Sequence, residues 1–318
     1  MGVLYFFESI RNPVLDVLVQ IITLVGEETF FLALGLFLIW CCNKRDGYLV
    51  LMTSFTGIIL NQFLKMCFRV PRPWVKDPNF TIVESAREGA SGYSFPSGHT
   101  QNSVGMLGAL GISTKHLWVR ILCIAGVILV PLSRMYLGVH TPQDVLVSMG
   151  CAFVLIAVFN LLLKLNDKYP FVIYIVMGVL VLCVVAFMVF LYVYPFPKDV
   201  FYTENIGNYE SALKNAYTML GCIIGMLLFR FADDKFIKYD TRAVWWVQLL
   251  KLGLGLAIVL AVKEGTKPLL DAIFGGHLAA RAVRYFLVVC AAGAWTLTFK
   301  HWAKLGHPQA AVTQQTAE

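Results

Sequence analysis

The chain has 318 residues, 58% of them hydrophobic and 14% charged, with a formal net charge of +7. Soluble domains carry about 25% charged residues, and a mean hydropathy of +0.70 leaves too little polar surface to cover a water-soluble core. This excludes a soluble enzyme, a disordered chain and a secreted disulfide scaffold, and describes an integral membrane protein. The eight cysteines stand in apolar runs, Cys41 beside Cys42, with no CxxC or Cys/His metal spacing, and read as small buried hydrophobes. The positive charge forms no basic cluster, so no nucleic-acid partner is expected; the loop lysines and arginines set membrane orientation instead.

In chain order, residues 13–25 have helical apolar spacing, but Asp16 and the pair Glu27–Glu28 place this stretch at the membrane interface. No basic region precedes it, so no signal peptide is read. Nine candidate spans follow, at about 28–42, 47–68, 97–113, 117–138, 142–163, 171–194, 212–230, 245–262 and 279–299. The expected fold is an all-α polytopic bundle of about nine transmembrane spans. It divides into an N-terminal region 1–165, additional helices over 166–306 and a polar tail 307–318. Nine spans put the termini on opposite sides. The connections around 43–46, 114–116, 164–170 and 231–244 and the C-terminal tail, with residues near the span ends included, carry twelve lysines and arginines and are placed in the cytoplasm. Trp245, Trp246 and Tyr192–Tyr194 read as interfacial belts, and Lys251 as a lysine snorkelling from its span to the interface.

Three polar clusters then fall at span ends on the other, non-cytoplasmic side. Lys65, Arg72 and Pro73 close the second span, Pro96-Ser97-Gly98-His99 opens the third, and Ser133, Arg134, His140 and Asp144 link the fourth and fifth. Ionisable groups at membrane depth are costly and mark function. Three fixed cations, Lys65, Arg72 and Arg134, suit an oxyanion with three equatorial oxygens. Ser97 and Gly98 start a helix whose first N–H groups point at an anion. His140 can act as nucleophile through one ring nitrogen if a carboxylate holds the other, and Asp144, four residues on, is placed to do so. Asp144 also sits third after Thr141 and Pro142, an ordinary helix start, so a capping role stands beside the orienting one. His99 is then the general acid that protonates the leaving oxygen.

The clusters match the patterns KxxxxxxRP, PSGH and SRxxxxxHxxxD with no departure, and over about residues 47–165 the chain resembles the type 2 phosphatidic acid phosphatase superfamily. The resemblance implies a phosphatase that needs no cofactor or metal, works through a phosphohistidine, and has a helical core shared with vanadium haloperoxidases. It implies that Lys65, Arg72, Ser97, Gly98 and Arg134 bind phosphate, with His99 as acid/base, His140 as nucleophile and Asp144 as its partner. By the same resemblance the substrate is a membrane lipid, namely undecaprenyl pyrophosphate, phosphatidate or phosphatidylglycerol phosphate, met at the extracytoplasmic face of a bacterial inner membrane. The nine-span layout and the phrase Ser211-Ala-Leu-Lys214-Asn215 also resemble glucose-6-phosphatase, which keeps a soluble sugar phosphate as an alternative substrate, and a lipid phosphotransferase is a second alternative.

Overall fold

The structure is a computed structural model that describes residues 1–90, 92–196 and 207–303. The polar tail beyond Gly306 and most of the connection 195–211 lie outside the described residues. Regular structure among them is helical, with no strand. The helices are α1 (Gly2–Ser9), α2 (Pro13–Thr23), α3 (Glu28–Phe37), α4 (Lys44–Phe68), α5 (Pro73–Lys76), α6 (Gly98–Ser113), α7 (Leu117–Tyr136), α8 (Pro142–Lys168), α9 (Val172–Val193), α10 (Gly207–Ala232), α11 (Trp245–Ile273), α12 (Ala279–Trp295) and α13 (Phe299–Trp302).

Seven helices among the described residues are long and apolar enough to cross a membrane. An eighth candidate is the stretch 13–42, in which α2 and α3 meet at a 53° bend. The segment expected at the interface and the first expected span, which could also borrow residues before Gly26, form one bent pair, either a broken span or a re-entrant loop. The third expected span is α6, only 16 residues long. Helix α11 differs most from expectation, because it continues through Lys263, Glu264 and Lys267 to Ile273 with Pro268 inside it. The expected span ended at 262, just before these charges. A helix that outruns the hydrocarbon can carry solvated charges, as the exposed ion pair between Lys263 and Glu264 at 3.2 Å does.

The chain forms two compact units. The first comprises Met1–Leu32, Leu49–Pro170 and Ala186–Ala216. Short α6 is its centre, with Thr100, Gln101, Asn102 and Ser103 all buried. Its glycines permit that packing. A Cβ at Gly105 would press on Thr53 of α4, one at Gly108 on Ile156 of α8, and one at Gly111 on Cys123 of α7. Helix starts follow local rules. Asn12 accepts from the Leu15 amide ahead of Pro13, and Ser97 accepts from the Thr100 amide ahead of Gly98. Thr141 and Asp144 form a complete capping box around Pro142. Helix α1 covers the connection after α5, burying Leu4 against Phe80 and Ile82.

The second unit comprises Ala33–Tyr48, Phe171–Val185 and Tyr217–Glu318. Here α10 and α12 approach closely: a Cβ at Gly221 would lie 2.1 Å from the Ala282 carbonyl oxygen. Lys251 corrects the snorkelling expectation. It is 1% exposed, and its ammonium donates to the carbonyls of Trp40 (3.0 Å) and Thr241 (3.1 Å). The wide helical turn Leu38–Cys42 that ends α3 leaves carbonyls without helical partners. Lys251, Gln248 (to Cys41 O, 3.1 Å) and Thr241 (to Cys42 O, 2.9 Å) satisfy them. The cysteines are also corrected: Cys41, Cys123 and Cys222 are buried, whereas Cys42, Cys67 and Cys183 are exposed. In a bilayer the outside of a helix is apolar as well, so a small apolar side chain gains nothing by facing inward.

Candidate active site

Within the first unit, the C-terminal ends of α4 and α7 meet the N-terminal ends of α6 and α8. The Ser97 amide donates to the Asp144 carbonyl at 3.2 Å, tying the start of α6 to the start of α8. Every sequence-predicted site residue lies at this junction. Lys65 is in the last turn of α4, Arg72 caps α5, Ser97 caps α6, Gly98 and His99 open it, and Arg134 is in the last turn of α7. His140 lies in the connection to α8, and Asp144 is at its third position.

Lys65, Arg72, Arg134, His140 and Asp144 are all buried, none more than 8% exposed. Arg72 is the hub. Its Nε donates to the Gly92 carbonyl (2.8 Å), and its Nη1 donates to the Val139 carbonyl (2.8 Å) and to His140 Nε2 (3.0 Å). An arginine nitrogen only donates, so Nε2 is the unprotonated nitrogen of His140. The ring proton is then on Nδ1, which lies 3.5 Å from Asp144 Oδ2. That carboxylate is itself held by the Thr141 amide (2.8 Å) and the Ser94 hydroxyl (2.5 Å). The capping role of Asp144 is thus present, with its carboxylate also facing the His140 ring. His140 is pushed below the ordinary histidine range, first by burial and then by Arg72, with Arg134 and Lys65 adding to it, while Asp144 pulls the other way.

The loop 92–94, no part of which was singled out for these roles, holds three of the charged groups. Gly92 O takes Arg72, Tyr93 O takes the Lys65 ammonium, and Ser94 Oγ donates to Asp144. Tyr93 is 5% exposed and contributes its carbonyl. Asn208 at the start of α10 pins this loop by accepting from the Tyr93 amide at 2.5 Å. Gly92 has φ +81°, and a Cβ there would fall 2.3 Å from Asn208 Oδ1, so only glycine fits. Thr23 and Gly26 also enter the site, the first on Arg134 and the second against His99. Spacing could not reveal these residues, because they act through their backbone atoms or on partners 50 or more positions away. Only the glycine and asparagine types hinted at special backbone positions.

Three buried cations against one carboxylate leave a formal +2 at the junction. Such an excess is costly unless an anion joins it. The amides opening α6 and the unprotonated His140 nitrogen complete a setting that can hold a doubly charged oxyanion and present a nucleophile to it. Among the described residues, no group of three or more His, Cys, Asp or Glu side chains is arranged to hold a metal ion.

Fold and site together define an all-helical membrane protein with a cation-lined, histidine-bearing site at its helix ends. The chain belongs to the PAP2 superfamily, the type 2 phosphatidic acid phosphatases: residues 46–168 match that family, and residues 217–300 match the PAP2 superfamily phosphatase transmembrane extension. Phosphatidylglycerophosphatase B of Bacillus subtilis is 33% identical over 150 residues, 43% of this chain and 70% of that protein. Undecaprenyl-diphosphatase BcrC of the same organism is 30% identical over 154 residues, 46% of this chain and 74% of that protein. A probable sphingosine-1-phosphate phosphatase of Dictyostelium discoideum is 28% identical over 155 residues, 45% of this chain but only 37% of its own length.

Proposed function

We propose that this protein is a metal-independent membrane phosphatase that hydrolyses a lipid phosphate or pyrophosphate through a phosphohistidine. The observation that carries the reading is His140, with Nε2 facing Arg72 and Nδ1 facing Asp144 amid a net positive charge. The names of the relatives, which act on phosphatidylglycerophosphate, undecaprenyl diphosphate and sphingosine 1-phosphate, favour a lipid whose tail stays in the bilayer. Undecaprenyl pyrophosphate, phosphatidylglycerol phosphate and phosphatidate are the substrates of first choice, met at the extracytoplasmic face of a bacterial inner membrane.

In the proposed cycle the phosphoryl group binds among Lys65, Arg72, Arg134 and the amides after Ser97 and Gly98. Arg72 exchanges His140 for a phosphate oxygen, freeing Nε2. That nitrogen attacks phosphorus, the bond from phosphorus to the leaving oxygen breaks, and His99 gives its proton to that oxygen. His140 keeps its Nδ1 proton against Asp144 and carries the phosphoryl group on Nε2. Water then attacks phosphorus and gives a proton to His99, the phosphorus–nitrogen bond breaks, and inorganic phosphate leaves. The three cations neutralise charge spread over the equatorial oxygens.

The test is phosphate release by purified protein in detergent containing EDTA, from the three lipids and from glucose 6-phosphate, with His140→Ala as blank. Lipid turnover lost in the variant supports the proposal. Turnover that needs an added metal ion, or that survives in His140→Ala, refutes the mechanism. Release from glucose 6-phosphate alone refutes the lipid substrate.

A further inference from the structure

The end of α2 lies outside the residues matched to the PAP2 superfamily, and its apolar spacing suggested only an interfacial helix. Two features of it reach the site. Thr23 is 8% exposed, and its hydroxyl accepts from Arg134 Nη1 at 2.8 Å across 111 positions of sequence. Arg134 Nε is buried with no hydrogen-bond partner among the described residues, so Thr23 takes one edge of the guanidinium and leaves another for an oxyanion. Three residues later, Gly26 backs onto His99. A Cβ at Gly26 would lie 2.9 Å from both the Cβ and the carbonyl oxygen of His99, a contact no larger residue fits without moving the histidine. Asn102, one turn along α6 from His99, donates to the Gly26 carbonyl at 3.4 Å and fixes the turn Leu24–Gly26 on that helix.

We infer that the segment Thr23–Gly26 is a positioning element of the phosphate site: Thr23 aims Arg134 at the phosphoryl oxygens, and Gly26 seats His99 for proton transfer. The inference rests on the phosphatase reading above, and it gives the N-terminal helix a part in catalysis. It separates two kinetic signatures. Loss of the hydroxyl weakens oxyanion binding, whereas a methyl group behind His99 displaces the acid/base.

The experiment compares full-length wild type, Thr23→Val, Thr23→Ser and Gly26→Ala on the lipid that wild type hydrolyses, with orthovanadate as the phosphate probe and unfolding midpoints in detergent as control. Thr23→Val keeps the shape without the acceptor; KM and the vanadate inhibition constant should each rise about tenfold with kcat little changed, the worth of one hydrogen bond to a charged group. Thr23→Ser restores the acceptor and should return both constants to within about threefold of wild type. Gly26→Ala should lower kcat by about 100-fold, as small misplacements of a reacting group do, with a smaller change in vanadate inhibition. Wild-type KM and vanadate inhibition in Thr23→Val overturn the role of Thr23, as does a serine variant no better than valine. Wild-type kcat in Gly26→Ala overturns the role of Gly26, and serves as an independent reading if Thr23→Val does not fold. A wild type with no His140-dependent phosphate release overturns the phosphatase reading itself and this inference with it.

Discussion

Two polar clusters in this molecule are built from the same residue types and balanced differently. In the second unit, Lys44 meets Asp233 at 2.7 Å and Arg230 meets Asp234 at 2.9 Å. Tyr174 donates to Asp234 at 2.6 Å and the Tyr239 amide to Asp233 at 3.3 Å. These four charged groups sum to zero. In the first unit, Lys65, Arg72 and Arg134 face a single buried carboxylate, Asp144, with the exposed Glu27 also near Arg134, and their needs are met largely by the carbonyls of Gly92, Tyr93 and Val139 and by the Thr23 hydroxyl. A buried ion pair is complete in itself and tends to serve structure. A buried excess of +2 held by neutral oxygens stays electrostatically incomplete until an anion arrives. By that difference in balance, we propose that the first cluster is a binding site and the second a clasp.

The largest effect expected from breaking the site falls on Asp144. Asp144→Asn replaces the carboxylate that lies 3.5 Å from Nδ1 by a neutral amide, so on the proposed mechanism His140 loses the charge that favours the tautomer with a bare Nε2. Turnover should fall about 10²–10⁴-fold, as when a carboxylate orienting a catalytic histidine becomes an amide. Phosphate release by the purified variant measures it, with its unfolding midpoint as control. A variant within tenfold of wild type would mean that Asp144 serves as the α8 cap alone.

Much of this cluster was readable from the chain, because lysine, arginine and histidine at span ends are unusual enough to stand out. The motifs located all eight expected site residues, and the apolar runs located most helices to within a few positions. What was not readable is the scaffold that holds them. The carbonyls of Gly92, Tyr93 and Val139 carry no residue identity, so no motif can point to them. Thr23 and Asn208 act on partners over 100 residues away, and each is an ordinary polar residue at a helix end. Lys251 was misread because a lysine in an apolar helix suggests solvent, whereas the carbonyls that satisfy it exist only once α3 ends in its wide turn. The course of α11 was misread because Lys263, Glu264 and Lys267 mark the end of the apolar run without ending the helix.

The pH dependence of kcat/KM sharpens the comparison next. In the proposed mechanism His140 attacks as a neutral ring, so activity is lost as pH falls through its pKa. Burial and the three cations hold that pKa below the ordinary value, and Asp144 partly opposes them. The acid limb should therefore lie below about pH 6.5 and fall about tenfold per unit beneath it. Removing the opposing carboxylate in Asp144→Asn should move the residual limb lower still. An acid limb above the ordinary histidine range would show that the cations do not act on His140 as the geometry requires.

A smaller effect is expected at Asn208, which touches the loop and not the charged groups. Asn208→Ala leaves the buried Tyr93 amide without its acceptor and loosens the carbonyls that hold Arg72 and Lys65. KM should rise about tenfold, the cost of one unsatisfied buried donor expressed through substrate binding. Steady-state kinetics on the lipid substrate decide it, and an unchanged KM would leave Asn208 as a packing residue.

The smallest effect on turnover belongs to the clasp. Lys44→Met or Asp233→Leu alone strands a charge in apolar surroundings and should lower stability by about 2–3 kcal/mol, moderated by the partial exposure of Lys44. The double variant removes both charges and should recover part of that loss, the coupling expected of a pair that is sufficient to itself. Turnover per folded molecule should stay at the wild-type level in all three, measured as phosphate release normalised to protein that elutes as a folded species in detergent. The same logic applied to the site gives the opposite outcome. No substitution there restores balance by removing a second group, because a single buried carboxylate, Asp144, faces the three buried cations and the remaining excess is what we propose the substrate offsets. A double variant in the second unit that lost turnover while regaining stability would erase the distinction between clasp and site.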